Sequence, residues 1–566
     1  MRPASDLDVL IVGAGPTGLA LAAQLHAFGT RFRIIDRLEH RGHESRALGV
    51  QARTLELLQT IGLGEALVAR GNASTHLVLH LDGHRVAEVA LGTIGATDTR
   101  FPFILFISQA ETEALLCEHL AASGVRVERG LELESAEAGA DGVRCVLRHG
   151  DGREERVEAS YLAGCDGAHS AVRRLAGIPF EGGSYPQQFV LGDVEADGPL
   201  TPGAINAFAG RGVAMFFPLG APTTWRVIAM SATGRPGEES DGLETSALTL
   251  AELQAIVDVP TGDAIRVRDP AWLGRFHLHH RQTAHYRAGR LFLAGDAAHV
   301  HSPVGAQGMN TGIQDAWNLG WKLALVARGE ADPRLLDSYE AERWPVGRFL
   351  VRYTDRLFGA FTRAMSSSAV AGWARRRIMP TVLPRVFGSR LLGAAAFRFV
   401  SELGIRYRRS SAVSEGAPRL RGGPRAGDRL PDARVTVDGR PAWLQEAVVA
   451  PRVVLLLCGN PAAWDTERLA VLRSTWPRTL TLRYLANGAL AGALADAPVD
   501  ALAGARVLVD ESGDVLARLG VRHAAQYLVR PDGHVAFRCA GSDLAALARY
   551  LGEWLVPPPR NAPRTG

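Results

Sequence analysis

A chain of 566 residues has room for two or three domains with sizeable cores, and a net charge of +4 gives little reason to expect a nucleic-acid partner. The five cysteines (117, 145, 165, 458 and 539) are scattered and odd in number and form no Cys-x-x-Cys pair, which argues for a reducing, cytoplasmic setting and against structural zinc. Met1 to Leu7 is polar and short, so no secretory leader is expected, and no apolar run is long enough to cross a bilayer.

Residues 8–12 form a short apolar run of buried-strand type. It leads into Gly13-Ala14-Gly15-Pro16-Thr17-Gly18 and a helical pattern over 19–28, and a second strand-like run, 32–35, ends on Asp36. This is the Gly-x-Gly-x-x-Gly fingerprint of dinucleotide binding in its strand–turn–helix context, with an acid about 20 residues on, where a ribose hydroxyl would sit. The first glycine permits the tight turn, the second admits a pyrophosphate, and the third lets helix and strand pack closely. No second such fingerprint occurs.

Residues 86–91 read as a β-type run. Over 161–174 a strand-like run again meets an Asp-Gly pair, Asp166-Gly167, followed by Ser170, Arg173 and Arg174. Taken alone, a β-turn with a capping serine and solvated arginines fits this stretch. Ser170 lacks a Gly-x-Ser-x-Gly setting, so a serine hydrolase is unsupported. Residues 186–280 are β-rich, with alternating runs at 214–217 and 225–230. Phe208, Met215, Phe217 and Met230 are candidates to face a substrate cavity there, with plain core as the stronger competing role. His277, His279, His280 and His285 match neither a helical i, i+4 pair nor a zinc pattern, so no metal is expected.

A β-type run over 289–294 ends on Gly295-Asp296; a glycine-rich turn and a helix starting near Asn310 follow. Glycines let backbone approach a ligand, and a helix start offers unpaired N–H groups and partial positive charge. That suits a phosphate or the N1–C2=O edge of a reduced flavin; an ordinary strand–turn–helix fits the stretch equally well by itself. Residues 343–409 are helical in pattern and carry 14 Arg against only Asp355 and Glu402, which reads as a solvated or inter-subunit face. Residues 410–432, rich in Pro, Gly and Ser, read as a linker. Beyond lie strands at 453–458 and 506–510, a hairpin of 526–529 with 534–538 about Pro531-Asp532-Gly533, and a closing helix over 544–555.

The motifs at 13–18, 161–174 and 294–318, in this order and spacing, resemble those of the FAD-dependent aromatic hydroxylases, the class A flavoprotein monooxygenases of the para-hydroxybenzoate hydroxylase type. Within that group the chain is similar to phenol and polyketide hydroxylases with an added C-terminal domain. The resemblance covers nearly the whole chain and is strong over 8–59, 105–178 and 281–345. It implies an α/β fold: a Rossmann-type FAD domain, an inserted antiparallel β-sheet substrate domain, and a C-terminal thioredoxin-like domain. The expected boundaries are 1–178 with 280–345 for the FAD domain, 179–279 (helped by 73–99) for the substrate domain, 346–409 for a helical segment, 410–432 for the linker and 433–560 for the last domain.

By the same resemblance the cofactors are FAD and NADPH or NADH, and the partners a small aromatic substrate and O2. Neither nucleic acid nor membrane is expected, and a homodimer is one arrangement open to the chain. Gly13, Gly15 and Gly18 would meet the FAD pyrophosphate, Asp36 the adenosine ribose, Arg46 the diphosphate–ribityl region and Gln109 the ribityl chain. Leu133 would flank the adenine; Asp166, with Arg173 nearby, belongs to a segment serving FAD and nicotinamide; Asp296 would bond the ribityl hydroxyls. Pro303 and the backbone of Gly308, Met309 and Asn310 would line the isoalloxazine, and Ser302 departs from a proline common in the family. The implied reaction is NAD(P)H-driven hydroxylation of a phenolic or polyketide-like ring through a flavin C4a-hydroperoxide, with no side-chain nucleophile. Baeyer–Villiger or epoxidising chemistry, or a flavin-binding interaction protein without turnover, are the alternatives. Cys458 is followed by Gly459-Asn460-Pro461, so a dithiol cycle has no local partner.

Overall fold

The computed structural model describes residues 7–41, 47–73, 76–81, 84–90, 96–210, 212–219, 223–230, 248–301, 307–364, 395, 397–488 and 505–558. Its first helices are α1 (Pro16–Ala27), α2 (Ala52–Gln59), α3 (Gly64–Arg70), α4 (Gln109–Ala122), α5 (Ala171–Leu175), α6 (Leu250–Thr261), α7 (Gly308–Ala327) and α8 (Asp337–Ala364).

Three eight-stranded sheets organise the described chain. In the first, Leu291–Leu293, Glu154–Gly164, Leu7–Val12, Phe32–Asp36 and Glu128–Arg129 lie side by side in parallel. Leu7–Val12 is buried along its whole length, which is why it reads as an unbroken apolar run and not as an alternation. Helix α7 is buried from Met309 to Val326, and it crosses α1 so closely that a Cβ on Gly320 would stand 2.8 Å from that of Gln24. The helix is enclosed on every side, and its polar residues, Asp315, Asn318 and Lys322 among them, are buried with the apolar ones.

The second sheet is antiparallel except where Ile205–Ala209 runs parallel to His76–Leu81, and residues 76–90 supply its far edge. Helix α6, closed by a Thr249–Glu252 capping box, covers one face. Val190, Val194, Phe208, Phe216, Trp225 and Val227 pack beneath it with Leu253 and Val257. The period of two then sends Phe189, Met215, Phe217, Ile228 and Met230 to the opposite face.

The third sheet belongs to the C-terminal part, with Val453–Gly459, Leu480–Asn487 and Arg506–Asp510 parallel and the hairpin strands Ala524–Val529 and Val535–Ala540 antiparallel at one side. One expectation changes here. The stretch read as a linker is fixed in place: Ser414–Glu415 pairs with the Val535–Ala540 strand, and Leu430 and Arg429 are buried. Its prolines and glycines serve packed turns, not a tether. Helix α8 runs from Asp337 to Ala364, across the boundary expected at 345/346. None of the described helices is long and apolar enough to cross a membrane.

Candidate functional site

The three glycine-bearing segments meet at one place. Gly13 has φ +100°, its N–H donates to Ile35 O at 2.8 Å, and a Cβ there would fall 2.4 Å from Cys165 O. A Cβ on Gly18 would sit 1.9 Å from Gly13 O, so this position fits nothing larger than glycine. Gly15 differs: its Cβ would meet nothing within 4 Å, and the α1 N-terminus behind it carries no side-chain cap. The turn thus presents open space and helix N–H groups toward a ligand. From the other side, Gly295 (φ +61°) and Gly312 of α7 both press on Thr17, where their Cβ atoms would fall 2.5 and 2.4 Å from its Oγ1.

The polar residues expected at the site arrange themselves around this junction. Asp36 Oδ2 accepts from Ala14 N at 2.7 Å and Oδ1 from Leu38 N at 2.9 Å, which binds the turn to the end of its strand and leaves further lone pairs on the carboxylate. Gln109 opens α4 after its N-cap Ser108; its Oε1 accepts from Ala47 N at 3.1 Å, which brings it to the residue after Arg46. Asp296 is the one exposed residue within 291–299 and is flanked by buried neighbours. Met309 and Asn310 lie in the first turn of α7, which begins at Gly308 and has no side-chain cap and no acid. Asn310 Oδ1 accepts from Gln51 N and its Nδ2 donates to Gly49 O, both at 2.8 Å. Arg46, Ser302 and Pro303 lie outside the described residues.

Two further residues of the expected set are held by the protein itself. Both oxygens of Asp166 turn to its own helix, accepting from Ser170 Oγ at 2.5 Å, Ala171 N at 2.6 Å and Val172 N at 3.2 Å. The carboxylate caps α5, and burial raises its pKa. Arg173 then ties that segment to the turn after Gly295 through Ala297 O at 3.0 Å. Leu133 is buried among the apolar side chains of the first sheet.

The substrate candidates divide by face. Phe208 lies in the core under α6, stacked on His80 at 4.2 Å. Met215 and Phe217 point the other way and pack with Leu48 and Phe106, Phe217 and Phe106 lying 5.6 Å apart. Met230 joins Tyr185, Phe189, Ile228 and Phe276 on that same side. Beside them Arg226, fully buried, grips Asp193 with two 2.6 Å bonds and donates to Ala47 O at 2.9 Å. The histidines go separate ways: His279 meets Ser184 at 2.7 Å, His280 packs on Tyr185, and His285 meets Glu340 at 3.1 Å.

Sequence reading missed a buried carboxylate at the start of α7. Glu402, at φ +60°, accepts from Thr311 Oγ1 at 3.1 Å and from Gln314 Nε2, and burial pushes its pKa up to about 8. Its neighbourhood of arginines reads as a solvated face, and only the return of residues 399–407 to α7 reveals the contact.

Residues 6–354 match the FAD binding domain family, and residues 423–558 match the family of aromatic-ring hydroxylase C-terminal domains. The chain is 35% identical over 572 residues to a 6-methylpretetramide 4-monooxygenase of Streptomyces rimosus, covering 100% of this chain and 97% of that enzyme. It is 33% identical over 568 residues to a 12-dehydrotetracycline 5-monooxygenase/anhydrotetracycline 6-monooxygenase of Streptomyces rimosus subsp. rimosus, covering 97% and 99%. Its fold is similar to the crystal structure of the flavin-dependent monooxygenase PieE in complex with FAD and substrate, with a TM-score of 0.78, 25% identity and coverage of 97% and 100%. The chain belongs to the FAD-dependent aromatic-ring hydroxylases. It is an FAD-dependent monooxygenase that takes its electrons from NAD(P)H and hydroxylates an aromatic substrate.

Proposed function

We propose that the substrate is a fused-ring phenol of polyketide type and that the chain acts in the biosynthesis of an aromatic natural product. The relatives named for tetracycline intermediates support the substrate class. The observation that carries the cofactor geometry is the meeting of the 13–18, 164–166 and 295–312 segments at Thr17 and Gly13, with open space left at Gly15.

FAD, when bound and reduced by NAD(P)H, would activate O2, of which one oxygen atom goes to the ring and the other leaves as water. The chain's own residues bind and orient. Gly13, Gly15 and Gly18 with the α1 N-terminus would receive the pyrophosphate, and Asp36, with lone pairs left over, would accept from the ribose. Asp296 and Gln109 hold the ribityl chain, and Arg46 its diphosphate end. The uncapped α7 N-terminus, with Gly308, Met309 and Asn310, would offer N–H dipoles to negative charge on the flavin. Asp166 acts one step back, by shaping the turn that Arg173 fastens to Ala297. Met215, Phe217 and Met230 form the apolar wall that receives the rings and excludes water; Phe208 supports that sheet from behind.

The test is consumption of NAD(P)H by the purified protein with FAD and a panel of fused-ring phenols, using labelled O2. One labelled oxygen in a hydroxylated product is expected. Label arriving from water, or a lactone product, overturns the reading.

A further inference from the structure

A buried line of hydrogen bonds joins the turn beside Asp296 to the C-terminal domain. Gly295 N donates to Asp315 Oδ2 at 3.1 Å, and His299 Nε2 lies 2.8 Å from the same oxygen. Arg343 Nε donates to Asp315 Oδ1 at 2.5 Å, its Nη2 to Thr311 O at 3.0 Å and its Nη1 to Tyr407 Oη at 3.0 Å. The side chains of Asp315, His299 and Arg343 are at most 1% exposed.

Tyr407 is set in turn by the C-terminal domain. Its N–H donates to Gly427 O, and Gly427 N donates to Val535 O, both at 2.7 Å. The Tyr407 ring lies 4.3 Å from the imidazole of His534 and 5.3 Å from the Arg530 guanidinium, both carried by the hairpin of that domain.

Stability alone does not account for this line. Apolar side chains of similar volume often replace a buried ion pair without loss. What the charged version adds is direction, because Arg343 spends its donors on three residues, two of α7 and Tyr407 beyond it, and Asp315 has both oxygens engaged. Burial works against the Asp315 carboxylate, yet the Arg343 guanidinium, with the hydrogen bonds that Arg343 and His299 make to it, prevails and holds its pKa below the usual range. It is therefore a fixed negative charge, hydrogen-bonded one residue before Asp296.

We propose that Asp315 and Arg343 are positioning residues for the flavin-side turn, and that the C-terminal domain acts on FAD binding through Tyr407, Arg343 and Asp315 in that order. This rests on the reading of 295–310 as the flavin-side segment. It gives the C-terminal domain a part in cofactor binding that requires no thiol.

The experiment uses the full-length enzyme stripped of flavin and titrated with FAD by fluorescence, with the two-electron potential of the reloaded flavin as a second readout. Asp315→Asn and Arg343→Lys are expected to weaken FAD binding about tenfold or more, as loss of a charge-assisted bond implies. Tyr407→Phe removes one hydroxyl and keeps the ring, so it should fold normally, weaken FAD about threefold and shift the potential. Leu456→Ala, in the C-terminal core, is the comparison: it should lower the melting temperature with FAD affinity unchanged. Unaltered affinity and potential in Tyr407→Phe overturns the proposal. An equal loss of affinity in Leu456→Ala overturns it too, since general destabilisation then explains the effect. A parent protein that binds no FAD at all would instead sink the flavin reading beneath it.

Discussion

Gly15 and Gly18 lie three residues apart and should fail in different ways when given a side chain. Gly18→Ala places a methyl 1.9 Å from the Gly13 carbonyl, so the helix must move off the strand and the protein should lose soluble yield. Gly15→Val sets its Cβ where no protein atom lies within 4 Å, so the fold should persist while FAD is excluded from the turn. Circular dichroism together with FAD titration separates the two outcomes. Asp296→Ala should also leave the fold intact, because the side chain is exposed, and weaken FAD by about tenfold; unchanged affinity would remove Asp296 from the ribityl site. Glu402 yields a pH prediction. Burial raises its pKa from the ordinary 4.5 to about 8, against the opposing charge of Arg343 and the hydrogen bonds of Thr311 and Gln314, with Asp315 adding to the rise. The folded state therefore holds a proton that the unfolded state gives up. The stabilising contribution is complete below pH 4.5 and is lost as pH rises toward 8, at up to about 1.4 kcal/mol per pH unit. Glu402→Gln stays neutral throughout, so its thermal stability should fall less than the parent's between pH 5 and 8 (about those limits, given the two pKa values). Parallel curves for the two proteins would refute this.

On the scale of elements, α7 is the centre of the molecule. Thr311, Asp315, Asn318 and Lys322 recur at i, i+4, i+7 and i+11, a polar stripe on a helix that is otherwise enclosed in apolar packing. The stripe's far end holds the chain's sole lysine. Lys322 Nζ bonds Asn318 Oδ1 at 2.7 Å and Glu342 Oε2 at 2.9 Å, and burial draws its pKa down to about 8. Glu342 in turn takes two 2.7 Å bonds from Arg530, which also grips Asp532. Arg530→Met leaves Asp532 without its cation and should cost about 3–5 kcal/mol. Lys322→Met leaves Glu342 still paired with Arg530 and should cost less, about 1–3 kcal/mol. Chemical denaturation that reversed this order would show that Lys322, not Arg530, is the main partner of Glu342. None of this cluster was legible in the sequence. The glycine turns were, because tight turns and close approaches are dictated within a few residues along the chain. Arg530 and Glu342 stand 188 residues apart, and a charged residue looks the same in sequence whether it meets water or a buried partner. For the same reason the helical segment's arginines read as one solvated face, and Phe208 could not be told from Met215 until α6 showed which side of the sheet is covered.

At the level of the whole molecule, the three sheets are joined by buried charge more than by a tether. Arg53 of α2 bonds Glu56 at 2.9 Å and reaches the Asp532 carbonyl in the C-terminal hairpin. Arg429 bridges Glu56 at 3.1 Å and Asp98 at 2.7 Å, beside a cleft of about 350 Å³ that Arg398, Arg406 and Arg518 also line. Such pairs need the correct partner opposite each charge, so they fix how the domains seat even where they add little net stability. The C-terminal domain is thus seated on the rest of the enzyme by buried charge, and we propose that it serves as part of the enzyme's frame and not through a thiol. All five cysteines are unpaired, and Cys458, on the central strand of that sheet, is fully buried with its thiol pKa pushed up by desolvation. A thiol that neither ionises nor meets solvent is a poor nucleophile. Cys458→Ala should therefore cost about 1 kcal/mol of stability through a small cavity, keep NAD(P)H-dependent hydroxylation within about twofold of the parent, and leave FAD affinity unchanged. Stability that holds while turnover collapses would mean that the thiol takes part in the reaction, and the frame reading of the domain would have to be abandoned.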